Sequence, residues 1–295
     1  MESATRWLFT AIVALCLPFS DASAQKPEKK KKPAGAPASG AKGVEALPGS
    51  KGSGENEEVD MDQVREELGV NQFTAPSIEH ILAELMDLRP IPIEKLWKDL
   101  KGDLPQDRAL MALSSGRAIA DGLLAVIAEK PSRVEPCARA LMRYAKGLGV
   151  ADHVTKHSRS ILEKAAKESW LDVRKELVKA QADVESGMMA LKDEEIAHLV
   201  SLGGWLRGMD IVSALVADEY TPERAGRLIQ PEALDYFIDR IGTLSPRLKK
   251  NELFQTIDTN LHAIKEITAK EDQTPPSLDE VKKIRQLASQ IVDQL

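Results

Sequence analysis

Two arginine–aspartate pairs are the residues of this chain best suited to binding a charged group. Arg117 and Asp121 are four positions apart, and Arg207 and Asp210 are three positions apart. Residues at these spacings share one face of a helix, so each pair can meet on a single helix. A charge on an apolar helix must be paired, either with another protein group or with a bound ligand. The sequence favours internal ion pairs that fix how two helices dock.

The alternative is a cleft for a small anionic ligand between the helices predicted at 105–129 and 194–217. A guanidinium group matches the geometry of carboxylates and phosphates, and nearby glycines would let a ligand reach the helix backbone. Gly203 lies one turn before Arg207, and Trp205 would form one wall of this cleft. The candidate ligand-binding residues are Arg117, Asp121, Gly203, Trp205, Arg207 and Asp210.

Glycines inside these two predicted helices need a physical reason, because each costs about 1 kcal/mol relative to alanine in a helix interior. The usual reason is the close approach of another helix, and a ligand lying against bare backbone is the other. We therefore expect the two helices to meet deep inside the protein. The glycines concerned are Gly116, Gly203, Gly204 and Gly208, with Gly122 as a further candidate.

Histidines offer only weak candidates for a metal site. His153 and His157 are four positions apart, but their polar neighbours favour a solvated pair. The Glu195-x-x-His198 motif is one half of the two-fold motif found in di-iron helical bundles, and the chain contains no second copy. No serine-nucleophile elbow, phosphate-binding loop, dinucleotide fingerprint or haem-attachment motif is present. The sequence predicts no cofactor and favours a non-enzymatic protein, which leaves a metal-dependent enzyme as the third hypothesis.

The elements that must position these residues are helices. Residues 61–295 show repeated helical periodicity and no long apolar–polar alternation. About ten helices with short connections fit into this stretch. We therefore predict an all-α domain, built as an irregular multi-helix bundle or array.

Proline, glycine and capping residues set the predicted helix ends. Pro105 is expected to begin the helix that runs to about residue 129, and Gly147 to end the next helix in a left-handed conformation. Asp193 is expected to cap the helix 194–217. Ser277 and Glu280 have the spacing of a capping box at the start of the last helix.

The first 60 residues precede this helical domain and differ from it in composition. Residues 1–24 resemble a signal peptide, because Arg6 precedes an apolar run of about 13 residues and Ala22-Ser23-Ala24 forms a small-x-small cleavage site. That run is too short for a membrane span of about 20 residues. Residues 25–60 form a linker that is rich in Lys, Pro and Gly and predicted to be disordered.

A cluster of lysines in this linker could contact an envelope protein or an anionic surface such as lipid or cell wall, and a plain solvated spacer is the alternative. The lysines are Lys26, Lys29, Lys30, Lys31 and Lys32. Cleavage near Ala24 would remove Cys16 and leave Cys137 as the single thiol of the exported chain. We expect that thiol to be buried and inert.

Composition excludes several classes of function. The chain has 295 residues, 43% of them hydrophobic, and a formal net charge of −6. An acidic chain of this kind is not expected to bind nucleic acid, and no transmembrane span is predicted in the exported chain. The sequence thus favours an exported, periplasmic or extracellular protein that binds or scaffolds other components of the cell envelope.

Overall fold

A computed structural model describes residues 86–191, 193–270 and 274–295, where the regular secondary structure is entirely helical. All the described residues belong to one compact unit. The predicted signal peptide and the predicted linker at 25–60 lie outside the described residues. The helices are α1 (Ile93–Leu96), α2 (Arg108–Ile127), α3 (Pro131–Leu148), α4 (Ala151–Ala166), α5 (Trp170–Ala190), α6 (Glu194–Asp218), α7 (Pro222–Gly226), α8 (Pro231–Thr243), α9 (Pro246–Lys249), α10 (Glu252–Thr268) and α11 (Leu278–Val292).

The helix α6 is central to this all-helical bundle. It packs against α2 on one side and α11 on another, and α2 also packs against α3. The chain then continues through neighbouring pairs, α3 with α4 and α4 with α5, while α10 connects α8 to α11. Two clusters of buried apolar side chains form the core, and both include residues of α2 and α6. The predicted all-α fold of about ten helices is confirmed.

The ends of α2 and α3 differ from the predicted ones. The helix α2 begins at Arg108 instead of Pro105, because the Asp107 carboxylate accepts hydrogen bonds from the backbone N–H groups of the first turn. The helix α3 continues past Gly147 and ends at Gly149, whose φ of 88° is the left-handed cap. Gly147 instead gives room to the Met111 side chain of α2, since a Cβ atom there would lie 2.3 Å from the sulfur of Met111.

Two further capping predictions have opposite outcomes. Ser277 and Glu280 form the predicted capping box at the start of α11. Asp193 occupies the position before α6, but its side chain makes no capping hydrogen bond. The Asp193 carboxylate instead pairs with the Arg108 guanidinium at 2.9 Å, which joins the starts of α2 and α6.

The helices α2 and α6 are both long and apolar enough to cross a membrane. Within this structure they are interior helices, with 83% and 78% of their most apolar windows buried in the protein. Interior helices of soluble proteins share this composition, because they are apolar on every side. The two helices that carry the arginine–aspartate pairs are therefore the core of the bundle.

Candidate functional site

The helices α2 and α6 cross in direct backbone contact. A Cβ atom on Gly116 would lie 1.9 Å from the carbonyl oxygen of Val200, and one on Gly203 would lie 2.0 Å from the carbonyl oxygen of Leu113. Only glycine fits at these two positions. The close approach of another helix, and not a ligand, is thus what compensates for these two glycines.

The other glycines do not share this reason. A Cβ atom on Gly208 would meet no atom within 4 Å, and one on Gly122 would only touch the Cys137 side chain at 3.5 Å. A Cβ atom on Gly204 would lie at an ordinary contact distance of 3.4 Å from the Gly116 carbonyl oxygen. The expectation that Gly208 also marks a close approach is therefore wrong, because the contact is confined to one crossing point.

Arg207 occupies the centre of the buried site and is 1% exposed. Its Nε donates to Asp121 Oδ1 at 2.7 Å, one terminal nitrogen donates to Asp210 Oδ2 at 2.6 Å, and the other donates to the Leu96 carbonyl oxygen at 2.6 Å. All three guanidinium nitrogens are therefore bound to protein acceptors. This one side chain joins α6 to α2 and to the end of α1.

Arg117 extends the same network from α2. Its Nε lies 3.4 Å from Asp121 Oδ2, and one terminal nitrogen donates to the carbonyl oxygens of Lys98 and Asp99 at 3.1 and 2.9 Å. Carbonyl groups after the last turn of a helix lack partners within the helix. The two arginines supply these partners and thereby hold the segment after α1 against the core.

Lys98 adds α11 to the network. Its Nζ lies 3.1 Å from Asp210 Oδ2 and 2.8 Å from Asp293 Oδ1, and it donates to Ser289 Oγ at 2.6 Å. Three cationic and three anionic side chains therefore share one network that reaches α2, α6, α11 and the segment after α1. We call this network the ionic cluster, and its members are Lys98, Arg117, Asp121, Arg207, Asp210 and Asp293.

Burial and nearby positive charge act in opposite directions on the pKa values of Asp121 and Asp293. Burial raises the pKa of Asp121 above its ordinary value, even though Arg207 and Arg117 act to lower it. Burial also acts to raise the pKa of Asp293, but the hydrogen bond and charge of Lys98 hold it below its ordinary value. Asp121 thus depends strongly on its arginine partners to stay ionised, since nothing else compensates for its loss of water.

The structure brings together four of the six predicted site residues, namely Arg117, Asp121, Arg207 and Asp210. Gly203 lies at the helix crossing. Trp205 contacts α8 instead of the ionic cluster: its Nε1 donates to Gln230 Oε1 at 2.8 Å, and its ring centroid lies 5.4 Å from that of Phe237.

Two members of the ionic cluster were not predicted from the sequence. Lys98 lies between helices, and Asp293 follows the last one, so neither belongs to a charged pair on an apolar helix. Their contact joins residues 195 positions apart. No local spacing in the sequence signals such a contact.

His157 is buried and hydrogen-bonded on both ring nitrogens, so the expectation of a solvated histidine pair is wrong for it. Nδ1 of His157 lies 2.8 Å from Glu176 Oε1, and Nε2 lies 2.7 Å from Asp183 Oδ2. Both carboxylates come from α5, which supplies the partners that the local sequence of α4 lacks. His153 lies apart from these groups and packs its ring over Gly187.

The ring nitrogens of His157 are taken up by hydrogen bonds to carboxylates. Burial acts to raise the pKa of Glu176, but hydrogen bonds from Lys164 and His157 outweigh it and lower the pKa to about 2. Both ring nitrogens of His157 already face carboxylates, which leaves none free to bind a cation. Among the described residues, no group of three or more His, Cys, Asp or Glu side chains is arranged to hold a metal ion.

The geometry defines the class of this molecule as an all-helical protein whose two central helices are held together by buried ion pairs. No protein-family model, curated protein or solved structure matches the chain. Its function must therefore be argued from the arrangement of its own residues.

Proposed function

We propose that this chain is an exported, non-enzymatic helical protein that binds or scaffolds components of the cell envelope, and that the ionic cluster fixes its fold. The observation that carries this proposal is the complete engagement of Arg207. Each guanidinium nitrogen already donates to a protein acceptor at 2.6 or 2.7 Å. A buried guanidinium whose three nitrogens are all bound to protein acceptors is suited to stabilising a structure more than to recognising a ligand.

The alternative of an anionic ligand between α2 and α6 has less support. A ligand at Arg207 would have to displace Asp121 or Asp210 and leave that carboxylate buried without its partner. Space is also lacking, since the backbones at Gly116 and Gly203 touch the opposite helix. This packed contact between α2 and α6 favours a scaffold role over a ligand site between the two helices.

Export is the second part of the proposal and rests on the sequence of residues 1–24. Cleavage after Ala24 would give a chain that begins at Gln25 and keeps one thiol, Cys137. That thiol is buried in the structure, and burial raises its pKa to about 12. A chain whose only thiol is shielded suits an oxidising compartment, because it cannot enter wrong disulfides.

The proposal is tested by expressing the chain with a C-terminal tag and isolating it from the envelope fraction. We expect an N-terminus at Gln25 and the capture, after chemical cross-linking, of one or a few envelope components in fixed proportion. Full-length protein that stays in the cytosol would contradict export. The capture of no component in fixed proportion would contradict the binding or scaffold role.

A matched pair of variants tests the basic cluster of the linker. Exchanging Lys26 and Lys29 to Lys32 for glutamine removes the charge of this cluster, while deletion of residues 33–41 shortens the linker and keeps every lysine. If the lysines contact an anionic surface, only the glutamine variant should lose salt-sensitive association with envelope fractions. Equal association of both variants with the parent chain would favour a plain spacer.

A further inference from the structure

Both histidines of the pair on α4 contact the second half of α5. A Cβ atom on Gly187 would lie 2.5 Å from the ring of His153. One turn further along α4, His157 lies between Glu176 and Asp183, which are two turns apart on α5. The two helices run side by side in opposite directions, and His157 lies at the contact between them.

The contact with α4 holds α5 in the bundle. The helix α5 packs mainly against α4, and its contacts with α2 and α6 are smaller. His157 is 4% exposed and joins α4 to two successive positions of α5. A change in the hydrogen bonds of His157 therefore changes how firmly α5 is attached.

The number of hydrogen bonds that His157 can donate depends on its protonation. Its Nδ1 lies 2.8 Å from Glu176 Oε1, and its Nε2 lies 2.7 Å from Asp183 Oδ2. An ionised carboxylate only accepts, so each of these bonds needs a hydrogen on the ring nitrogen. The imidazolium has two such hydrogens, and the neutral ring has one. Histidine is the side chain that commonly changes its charge between about pH 5 and 8.

Both carboxylates stay ionised through that range. Burial acts to raise the pKa of Glu176, but the hydrogen bonds of Lys164 and His157 lower it to about 2. The hydrogen bond of His157 also holds the pKa of Asp183 below its ordinary value. The neutral form of His157 thus faces two acceptors with a single hydrogen.

The other charges around this contact also come from α4. Lys164 pairs with Glu176, and Lys156 and His153 act on Asp183 through their charge. Within the described part of the chain, α2, α3 and α6 contribute no hydrogen bond or ion pair to His157 or its two carboxylates.

The two carboxylates differ in how easily they can leave His157. The Glu176 side chain is 9% exposed and keeps its pair with Lys164 whether or not His157 is protonated. The Asp183 side chain is 57% exposed, so water can replace the histidine as its partner. Loss of one bond therefore falls on Asp183.

We propose that His157, Glu176 and Asp183 form a pH-dependent latch between α4 and α5. At acidic pH the imidazolium donates to both carboxylates and holds the second half of α5 against α4. As the pH rises, Nε2 gives its proton to solvent, the ring keeps its bond to Glu176, and Asp183 turns to water. The stability that Asp183 contributes is thus present at acidic pH and lost at alkaline pH. The latch requires neither the ionic cluster nor the envelope role proposed above.

The test compares the melting temperatures of the full chain and of Asp183→Asn at about pH 5.5 and about pH 8.5. We expect the substitution to lower the melting temperature by at least about 3 °C at the acidic pH, since it removes a charged hydrogen-bond acceptor. We expect no loss at the alkaline pH. In a chain that carries His157→Gln, the same substitution should cause no loss at either pH.

A second histidine–aspartate pair supplies the matched control. His262 and Asp258 are one turn apart on α10, and both side chains are about half exposed. Exposed pairs of this spacing contribute little, so Asp258→Asn should shift the melting temperature by less than about 2 °C at either pH. His153→Gln removes the neighbouring histidine and should leave the pH dependence of the Asp183→Asn effect in place.

The single variant Asp183→Asn decides the question even if His157→Gln fails to fold, because the Asp183 side chain is mostly exposed. The proposal is overturned if the loss at the acidic pH does not exceed the loss at the alkaline pH. It is also overturned if this difference persists in His157→Gln or disappears in His153→Gln.

Discussion

Replacing Arg207 by methionine is the most informative perturbation of the ionic cluster. Methionine has a similar length and no charge, so the variant removes the ion pairs with little change in volume. Asp121 then keeps only Arg117, at 3.4 Å, and Asp210 keeps only Lys98, at 3.1 Å. Both carboxylates are nearly inaccessible to water, and Asp121 has a side-chain exposure of 0%.

The expected loss of stability follows from this burial. Removing one partner of a buried ion pair costs about 3–5 kcal/mol, because it leaves the other charge desolvated and unpaired. In a domain of this size, each kcal/mol lowers the melting temperature by about 2–4 °C. The melting temperature of Arg207→Met should thus fall by about 6–20 °C.

Thermal and urea unfolding monitored by circular dichroism measure this loss. The matched control is Arg139→Met, which removes an exposed ion pair between Arg139 and Glu135, one helical turn apart. The Arg139 side chain is 60% exposed. Exposed pairs contribute about 0–1 kcal/mol, so the control should melt close to the parent. If Arg207→Met melts within about 2 °C of the control, the ionic cluster does not hold the bundle together and the reasoning above is refuted.

Three further predictions concern titration and reactivity. The folded pKa of Glu176 is lowered to about 2, so stability should fall as the pH drops from about 4.5 towards 2; unfolding measured against pH should show a shallower fall in Glu176→Gln. The pKa of His198 is also lowered, to about 4, so stability should fall from about pH 6.5 to 4, and His198→Phe should lose that part of the slope. Burial raises the pKa of Cys137 to about 12, so iodoacetamide should label it only in denaturant, as mass spectrometry would show; rapid labelling of the folded protein would contradict its burial.

The sequence predicted correctly those contacts of a residue that depend only on its own helix. Helical periodicity gave the all-α fold, and charges on two otherwise apolar helices correctly indicated buried ion pairs. The spacing of Arg117 from Asp121 and of Arg207 from Asp210 brings each pair together on one helix. These inferences hold because helix geometry alone fixes which residues share a face.

The sequence was a poor guide where partners come from distant segments. His157 looked solvated because its neighbours in α4 are polar, but α5 covers it with Glu176 and Asp183. Trp205 shares a helix with Arg207 and still faces another element, since its position on the helix points it to α8. Only the packing of whole helices decides such contacts, and one sequence does not state that packing.

Two alanine substitutions on α6 test the central claim most directly, namely that α2 and α6 touch through their backbones. Gly208→Ala places its Cβ in open space and should stabilise the protein by up to about 1 kcal/mol through helix propensity. Gly203→Ala places its Cβ 2.0 Å from the Leu113 carbonyl oxygen and should destabilise it by about 1–3 kcal/mol or more. Opposite signs in the measured free energies of unfolding are the predicted result. A stabilising effect at both positions would contradict the backbone contact and the buried crossing built on it.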